Sequence, residues 1–575
     1  MLKIYKNLKP YIPYIFGILV FQALQSMANL YLPTLMSDIT NNGIMKSDVP
    51  YIWRMGGLML LIAAGGVICA IGASLLGSKT AVGLGRRLRN KIFRKVEGFS
   101  LHEFDKLGAS TLITRTTNDI IQIQTTTILI FNMMVGAPIT AIGGTILAYS
   151  EDKSMTLILA VALPVIGCVV AFFATKGMPL FKMVQKKIDK VNLVVRENLT
   201  GIRVIRAFNQ IDREKARFDE ASSDLTNNYI KVNRIMAFMM PIMMLIMNLV
   251  TMSILWFGAM RVNDGTSNIG NLMAFMQYAM LILISLLMLT MMFIMVPRAQ
   301  AAAERVNEVL ATKSEIIDPK EIRHANDQAG YIEFNNVTFR YHGAEEPAVS
   351  NISFAAKPGE TTAIIGGTGS GKSTIVNLMP RFYDTDSGEV LVDGVNVKEM
   401  SQEELRAKIG FVPQKAVLFT GTITENLKYG KLDATDEEVR HAAEVAQASD
   451  FIENMKDSYD TMLSEGGLNL SGGQKQRLSI ARALVRKPEI YVFDDSFSAL
   501  DFKTDAKLRA ALKKETGNST VIIVAQRVGT VMDADRIIVL DEGKVAGIGT
   551  HKELMSSCEV YREIVSSQLS EEELA

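Results

Sequence analysis

Long apolar runs separated by basic stretches fill the first half of the chain, at about 11–36, 55–78, 127–149, 155–176, 236–260 and 271–296. Each reaches the roughly 20 residues a helix needs to cross about 30 Å of hydrocarbon. No Asp, Glu, Lys or Arg breaks the middle of any run. A buried helix in a soluble protein rarely recurs six times at this length, so the pattern predicts six membrane helices. The first run is too long, and too free of a small-residue cleavage site, to be a signal peptide. From about residue 330 the pattern changes to short apolar strands, glycine-rich turns and polar helices, the signature of an α/β domain. The expected organisation is therefore an all-α six-helix transmembrane domain over 1–311, a linker over 312–329 and a soluble α/β domain over 330–575.

The connecting loops set the expected orientation. Lys3, Lys6 and Lys9 precede the first run, seven Lys or Arg lie between Arg86 and Lys106, and nine between Lys182 and Lys215. Lys153 stands alone between the third and fourth runs, and Arg261 alone after the fifth. Positive charge gathers on the cytoplasmic side, which puts both termini and both long loops there. Those loops, about 79–126 and 177–235, are too long for turns. Leu88, Ile92 and Val96, and Leu193, Ile202 and Ile205, recur in them at helical spacing. The expectation is two helical hairpins extending into the cytoplasm toward a soluble domain, although a basic hairpin can also touch anionic headgroups.

Composition narrows the function. Lys and Arg number 61 against 60 Asp and Glu, a net charge of +1, which argues against a nucleic-acid partner. Cys69, Cys168 and Cys558 lie far apart in no metal-ligand spacing, excluding a disulfide scaffold and a cysteine zinc site.

The soluble half carries a nucleotide motif. Ile364 and Ile365 lead into Gly366, Gly367, Thr368, Gly369, Ser370, Gly371, Lys372, Ser373 and Thr374, which is G-x-x-x-x-G-K-S/T between a strand and a helix. Its backbone N–H groups converge on phosphate oxygens; Lys372 would bridge the β- and γ-phosphates and the Ser373 hydroxyl would ligate Mg²⁺. A second apolar strand, Ile490 to Phe493, ends in Asp494, placed to hold the metal through water. Between them Leu470, Ser471, Gly472, Gly473 and Gln474 open a helix whose exposed backbone donors suit an anion.

In order and spacing these segments resemble the ATP-binding cassette (ABC) family of exporters. The resemblance identifies Leu470 to Gln474 as the signature motif, Gln414 as the Q-loop residue and a metal ligand, and Ser498, Ala499, Leu500 and Asp501 as the D-loop. It makes Tyr341 the aromatic that stacks on adenine. Glu197 to Phe208 is typical of the second cytoplasmic loop of the six-helix exporter domain. It further implies that two such half-transporters assemble head to tail, each ATP lying between one phosphate loop and the other chain's signature motif. The contacting turns are expected near Ala109–Thr117 and Phe208–Arg213.

Two positions depart from the family. Asp495 stands where a Glu normally activates the attacking water, and Gln526 where a His contacts the γ-phosphate. Losing a methylene draws the carboxylate back by roughly 1.5 Å, and misplacement on that scale can cost about a hundredfold in rate. A carboxamide can hydrogen-bond but cannot carry imidazolium charge. The expected assembly is a heterodimer in which this chain's own site is degenerate. Its intact signature motif would complete the hydrolytic site of a partner bearing Glu and His. A symmetric homodimer, an ATP-gated channel or regulatory subunit, and ATP-driven uptake remain alternatives.

For cargo, Gln22, Gln25 and Asn29 fall at i, i+3 and i+7 on one helix face. They line a cavity or bond between helices, with Asn132, Asn248 and Gln277 as further candidates. The fifth and sixth runs are rich in methionine, from Met236 to Met252 and from Met273 to Met295, suiting either an adaptable binding wall or lipid-facing filler. No charged ring appears at membrane depth, and an exporter that cleaves its own peptide cargo is not expected, since no peptidase-like segment is read ahead of Lys3. The expected cargo is an apolar or amphipathic compound, a drug (including a cationic one) or a lipid. The expected location is a bacterial plasma membrane, in contact with its lipid. The acidic Glu571, Glu572 and Glu573 read as a solvated end.

Overall fold

The computed structural model describes residues 1–133, 135–325 and 329–568. The side chains of Lys182, Met291 and Met292, and the whole of Glu571, Glu572 and Glu573, lie outside the described residues. The chain folds as two compact units, one of Met1–Glu97 with Ser110–Thr312, the other of Gly98–Ala109 with Lys313–Ala575.

The first unit is wholly helical. Six segments are long and apolar enough to cross a membrane: Lys3–Ile44, Val49–Glu97, Ala109–Glu151, Thr156–Gly177, Ile211–Asn263 and Ile269–Leu289. Several helices run far past the apolar run, as Val49–Glu97, Thr156–Thr200 and Ile211–Asn263 do. The first two spans approach closely because small residues line the contact. A Cβ on Gly66 would stand 3.3 Å from Ala28, and one on Gly72 3.2 Å from Phe21. Two hydroxyls inside the spans return to their own helices, Thr80 to the Leu76 carbonyl and Thr145 to that of Ala141, so neither donor is left to lipid.

Two helices carry the apolar run of the third span. One helix covers Asn118–Met133 and the next begins at Gly136, with Pro138 in its first turn, where a missing N–H costs nothing. Helices Thr156–Thr200 and Ile211–Asn263 pack mainly on each other. Helix Ile269–Ala311 packs instead on the first and third spans. It is tied there by bonds that join Tyr278 to Thr34 at 2.6 Å and Arg305 to Asp119 at 2.8 Å.

In the second unit a six-stranded sheet runs in the order Lys544–Gly549, Arg536–Asp541, Thr361–Gly366, Thr520–Val524, Ile490–Asp494, Ile409–Val412. All neighbours are parallel except the first pair. Strand alternation sends Ile364, Val492 and Ile522 to one face and Ile365, Phe493 and Ile523 to the other, so both faces carry a core. Full burial of each such side chain contributes roughly 1.5–3 kcal/mol. A four-stranded antiparallel sheet, Val349–Ala356, Ile332–Phe339, Ser387–Val392 and Val395–Asn396, flanks it.

A segment from between the second and third spans belongs to this unit: helix Leu101–Leu107. Ser100 and Glu103 form a capping box at its start, and Glu103 also accepts from the Glu315 N–H at 3.2 Å. Tyr383 donates its hydroxyl to Asp105 at 3.3 Å. The turn expected at Ala109–Thr117 therefore falls one helix too late. Ala109–Thr116 is a helix of the membrane unit, where Arg115 pairs with Glu308 at 2.9 Å.

Candidate functional site

Strand Thr361–Gly366 delivers the chain into the glycine loop, and helix Lys372–Leu378 leaves it. Gly369 and Gly371 take φ of +85° and +93°, which other residues rarely adopt. Lys372 folds back to donate to the carbonyls of Gly366 at 2.8 Å and Gly367 at 2.6 Å. Burial holds its pKa below the ordinary lysine value, against the pull of Asp495 and Asp494. Ser370 Oγ is buried with no partner among the described residues. An orphaned hydroxyl and a lysine satisfied only by carbonyls, on a loop of exposed Gly367, Thr368 and Gly369, fit a phosphate chain.

Two of the residues expected to hold a metal lie side by side. Ser373 Oγ donates to Asp494 Oδ1 at 3.1 Å, and Asp494 is 6% exposed. Burial raises the Asp494 pKa, with Asp495 adding to the rise and Ser373 and Lys372 opposing it. A hydroxyl and a buried carboxylate side by side, with Gln414 nearby through Asp495, are the oxygen donors that Mg²⁺ takes. Bound there, Mg²⁺ would supply charge neutralisation on phosphate oxygens.

Asp495 is the centre of the two departures. Its φ is +47° and its N–H donates to the Val524 carbonyl at 3.0 Å. One oxygen, Oδ2, accepts from both carboxamides, Gln414 Nε2 at 3.2 Å and Gln526 Nε2 at 3.1 Å. Gln526 is held in turn from behind, its carbonyl accepting from Gln568 Nε2 at 2.8 Å. Sequence reasoning missed Gln568, for which no local pattern exists.

Tyr341 donates to or accepts from Thr374 Oγ1 at 3.2 Å, and meets Tyr383 edge-on with ring centroids 5.4 Å apart. Through Tyr383 and Asp105 this connects the expected adenine position to helix Leu101–Leu107. The D-loop joins the same group, since Ser498 Oγ donates to the Asp495 carbonyl at 2.9 Å. Leu500 is buried, Gly473 approaches the Ala499 carbonyl, and Asp501 caps helix Phe502–Glu515 by accepting from Thr504 N–H.

The signature residues stand apart. Ser471 caps the 15-residue helix Gly472–Arg486, and its N–H donates in turn to Gln474 Oε1 at 2.9 Å. Leu470 is buried, whereas Ser471 and Gly472 face outward. Among the described residues no hydrogen bond joins this motif to the phosphate loop of the same chain. Capping consumes the side chains and leaves a helix N-terminus turned to whatever lies outside.

In the membrane unit Gln22, Gln25, Asn29 and Asn132 line one cavity of about 390 Å³, with Ser26, Ser74, Thr140 and Ser285. The four carboxamides make no hydrogen bond to protein among the described residues, and Gln22 is only 7% exposed. A Cβ on Gly136 would stand 3.1 Å from Gln22 Oε1, so the glycine leaves room for that amide. Asn248 and Gln277 do not line it. Asn248 lies on a helix that contributes nothing to the cavity, and Gln277 sits a turn beyond Leu281, the last lining residue on its helix. Of the methionines in the fifth and sixth runs, Met288 reaches the cavity, as Met133 of the third span does; Met240, Met244, Met252 and Met280 face outward.

A nucleotide-binding unit with a phosphate loop and signature helix, carried on a six-span membrane unit, defines a membrane half-transporter. The ABC transporter transmembrane region matches residues 15–287, and the ABC transporter family matches 349–498. An ABC transporter ATP-binding protein of Mycobacterium tuberculosis is 41% identical over 98% of this chain and 97% of its own length. YfiB of Bacillus subtilis is 38% identical over 100% and 99%. The ATP-dependent lipid A-core flippase of Chromobacterium violaceum is 30% identical over 93% and 92%. A bacterial Atm1-family ABC exporter solved with ATP bound superposes with a TM-score of 0.80 at 25% identity, covering 97% of this chain and 98% of that one. The chain belongs to the ABC transporter family, with the exporter fold, and is an ATP-binding membrane transporter.

Proposed function

We propose that this chain is the degenerate-site half of a heterodimeric ATP-driven exporter of the bacterial plasma membrane, with both termini cytoplasmic. The Asp495 cluster carries this reading. An attacking water needs a carboxylate oxygen facing it, and here one oxygen is taken by two amides at 3.1 and 3.2 Å. ATP would bind this loop and turn over slowly, with Mg²⁺ at Ser373, Gln414 and Asp494.

The outward signature helix would complete the site on the partner's phosphate loop, where hydrolysis mainly occurs. ATP between the two soluble domains favours their closed state, and loss of phosphate removes that bias. Movement would pass through the hairpin tips to the spans and switch the cavity between its two openings. ABC exporters work as dimers, and the second tip of this chain is dressed for a partner. Leu199 and Phe208 are each 72% exposed and Val204 60%.

The cargo reading rests on the cavity. Its walls offer carboxamides and hydroxyls beside Leu281, Ile284 and Met288, and among the lining residues none is ionisable. Unpaired amides at membrane depth call for hydrogen-bonding groups. The cargo is an amphipathic compound with an uncharged polar head, a lipid-like molecule before a cationic drug, since no carboxylate waits for a cation. The flippase relative supports a lipid-like cargo.

The test is co-purification from native membrane followed by reversion. A second six-span ATPase at equal stoichiometry, with Glu and His matching Asp495 and Gln526, is expected. Asp495→Glu with Gln526→His should then raise turnover of the pair. Recovery of this chain only with itself, or an unchanged rate in the double variant, counts against the proposal.

A further inference from the structure

Strand Thr520–Val524 pairs in parallel with its two neighbours, Val524 standing opposite Ile364 on one side and Asp494 on the other. Its C-terminal end therefore points where those neighbours deliver the glycine loop and Asp494, the edge of a parallel sheet at which ligands bind. Gln526 is two residues beyond that end. Its amide reaches Asp495 Oδ2 at 3.1 Å, and Asp495 is close enough to act on the charge of Lys372 in the phosphate loop. The Gln526 side chain thus stands where the outermost phosphate of a bound nucleotide would come.

The backbone that carries Gln526 has little support of its own. The sheet ladder ends at Ala525, whose N–H donates to the Ile364 carbonyl at 3.1 Å. The next helix, Val528–Val531, is four residues long and has no side-chain cap from Arg527. Its first N–H has no carbonyl to meet within its own helix. Gln568 supplies what is missing. Its Oε1 accepts from the Val528 N–H at 2.8 Å, and its Nε2 donates to the Gln526 carbonyl at 2.8 Å. Each end of the carboxamide meets the group it complements, so turning the amide over would lose both bonds. The two bonds bracket Arg527 and fix the main chain on either side of it, as a neighbouring strand would.

Gln568 is itself anchored. Helix Glu559–Ser566 buries Tyr561 and Val565 completely, and the Tyr561 hydroxyl bonds to His551 Nδ1 at 2.8 Å. The Gln568 N–H returns to the Val565 carbonyl at 3.0 Å. The clamp is therefore rooted in the core of the soluble unit.

We propose that Gln568 is a positioning residue for the nucleotide site, holding the backbone at 526 and 528 so that the Gln526 amide stays at the place of the terminal phosphate. This role rests on the reading that Gln526 meets the γ-phosphate, and extends it to a residue that touches no nucleotide. Released from the clamp, the loop would spread over several conformers, and apparent affinity for ATP would fall with the fraction that stays aimed. ADP lacks that phosphate and should not respond.

The experiment uses the assembly that the full chain forms in its own membrane, purified in mild detergent. An azido-adenine photoprobe labels it in the cold, ATP or ADP competes, and the label is read on this chain's own gel band. Gln568→Met keeps the length of the side chain and loses both bonds. It is expected to raise the ATP concentration needed for competition by about three- to tenfold, with that of ADP unchanged. Competition by ADP doubles as the check that the site is folded. Gln526→Ala should do the same, and the double variant should be no worse than either single one, because the two residues act through one contact. Ser567→Ala, beside the clamp with its hydroxyl turned back to the Ile564 carbonyl, should change neither nucleotide. Equal losses for ATP and ADP in Gln568→Met would make the clamp a tie of the fold alone, and additive losses in the double variant would separate it from Gln526; either overturns the proposal. So does an ATP shift in Gln526→Ala with none in Gln568→Met, which leaves the reading of Gln526 in place. No ATP shift in Gln526→Ala removes that reading and the proposal with it.

Discussion

The two hairpin tips of this chain are built from similar material and end in opposite conditions. The first, helix Leu101–Leu107, is closed by the Ser100–Glu103 capping box and fastened by Glu315 N–H and Tyr383. The helix that feeds it buries Leu88 and Ile92 completely. The second, helix Ile202–Ala207, has no side-chain cap and buries none of its residues. Leu193 and Ile202, the counterparts at helical spacing, are 51% and 41% exposed. Apolar residues at helical spacing therefore produced a finished contact in one hairpin and an open apolar surface in the other. The difference teaches that amphipathic pattern tells which face a helix will bury, and not which chain will cover it.

The largest effect should come from the open tip. Phe208→Asp places a charge on a surface that a second chain is expected to cover, and should weaken the coupling of ATP turnover to cargo by at least about tenfold. That is the size of losing an aromatic anchor. Thermal stability of the chain by itself should not change. A matching loss of stability would mean that Phe208 is already buried within its own chain.

At the closed tip the order reverses. Glu103→Ala removes a cap and strands the Ser100 and Glu315 N–H groups, so the soluble unit of the full chain should lose about 1–2 kcal/mol in an unfolding measurement. An unchanged midpoint would show that the tip detaches at no cost. The smallest effect is Tyr383→Phe, about 1 kcal/mol for the hydrogen bond to Asp105. Burial, and then Asp105, push the Tyr383 hydroxyl up to about 12. The proton is therefore kept in the folded state, and the contribution is complete below about pH 10 and lost as pH rises through about 12. The advantage of wild type over the Phe variant should shrink across that interval; a gap constant to high pH would put the hydroxyl elsewhere.

Much of this architecture was legible because it is local. Hydropathy alone marks the six spans, and the glycine loop with Lys372 and Ser373 has one meaning at that spacing. Gln22, Gln25 and Asn29 could be placed on one face from helical geometry, and the structure brings Asn132 to them. What escaped is tertiary. The ion pair of Asp152 with Arg261 at 2.7 Å, that of Asp119 with Arg305, and the clamp of Gln568 on Gln526 join residues with no shared pattern. The misplaced first tip is a different failure. Ser100 and Glu103 are a capping-box signature, but the apolar residues beyond Ala109 drew the reading onward. Gln277 failed for a simpler reason, since a helical face says nothing about where along its length a cavity ends.

Gly136 carries a consequence for the size of what the cavity can hold. A Cβ there would stand 3.1 Å from Gln22 Oε1, so the chamber takes its width at this point from a side chain that is missing. Every carbon added at position 136 would be subtracted from the room left for the Gln22 amide and for whatever molecule bonds to it.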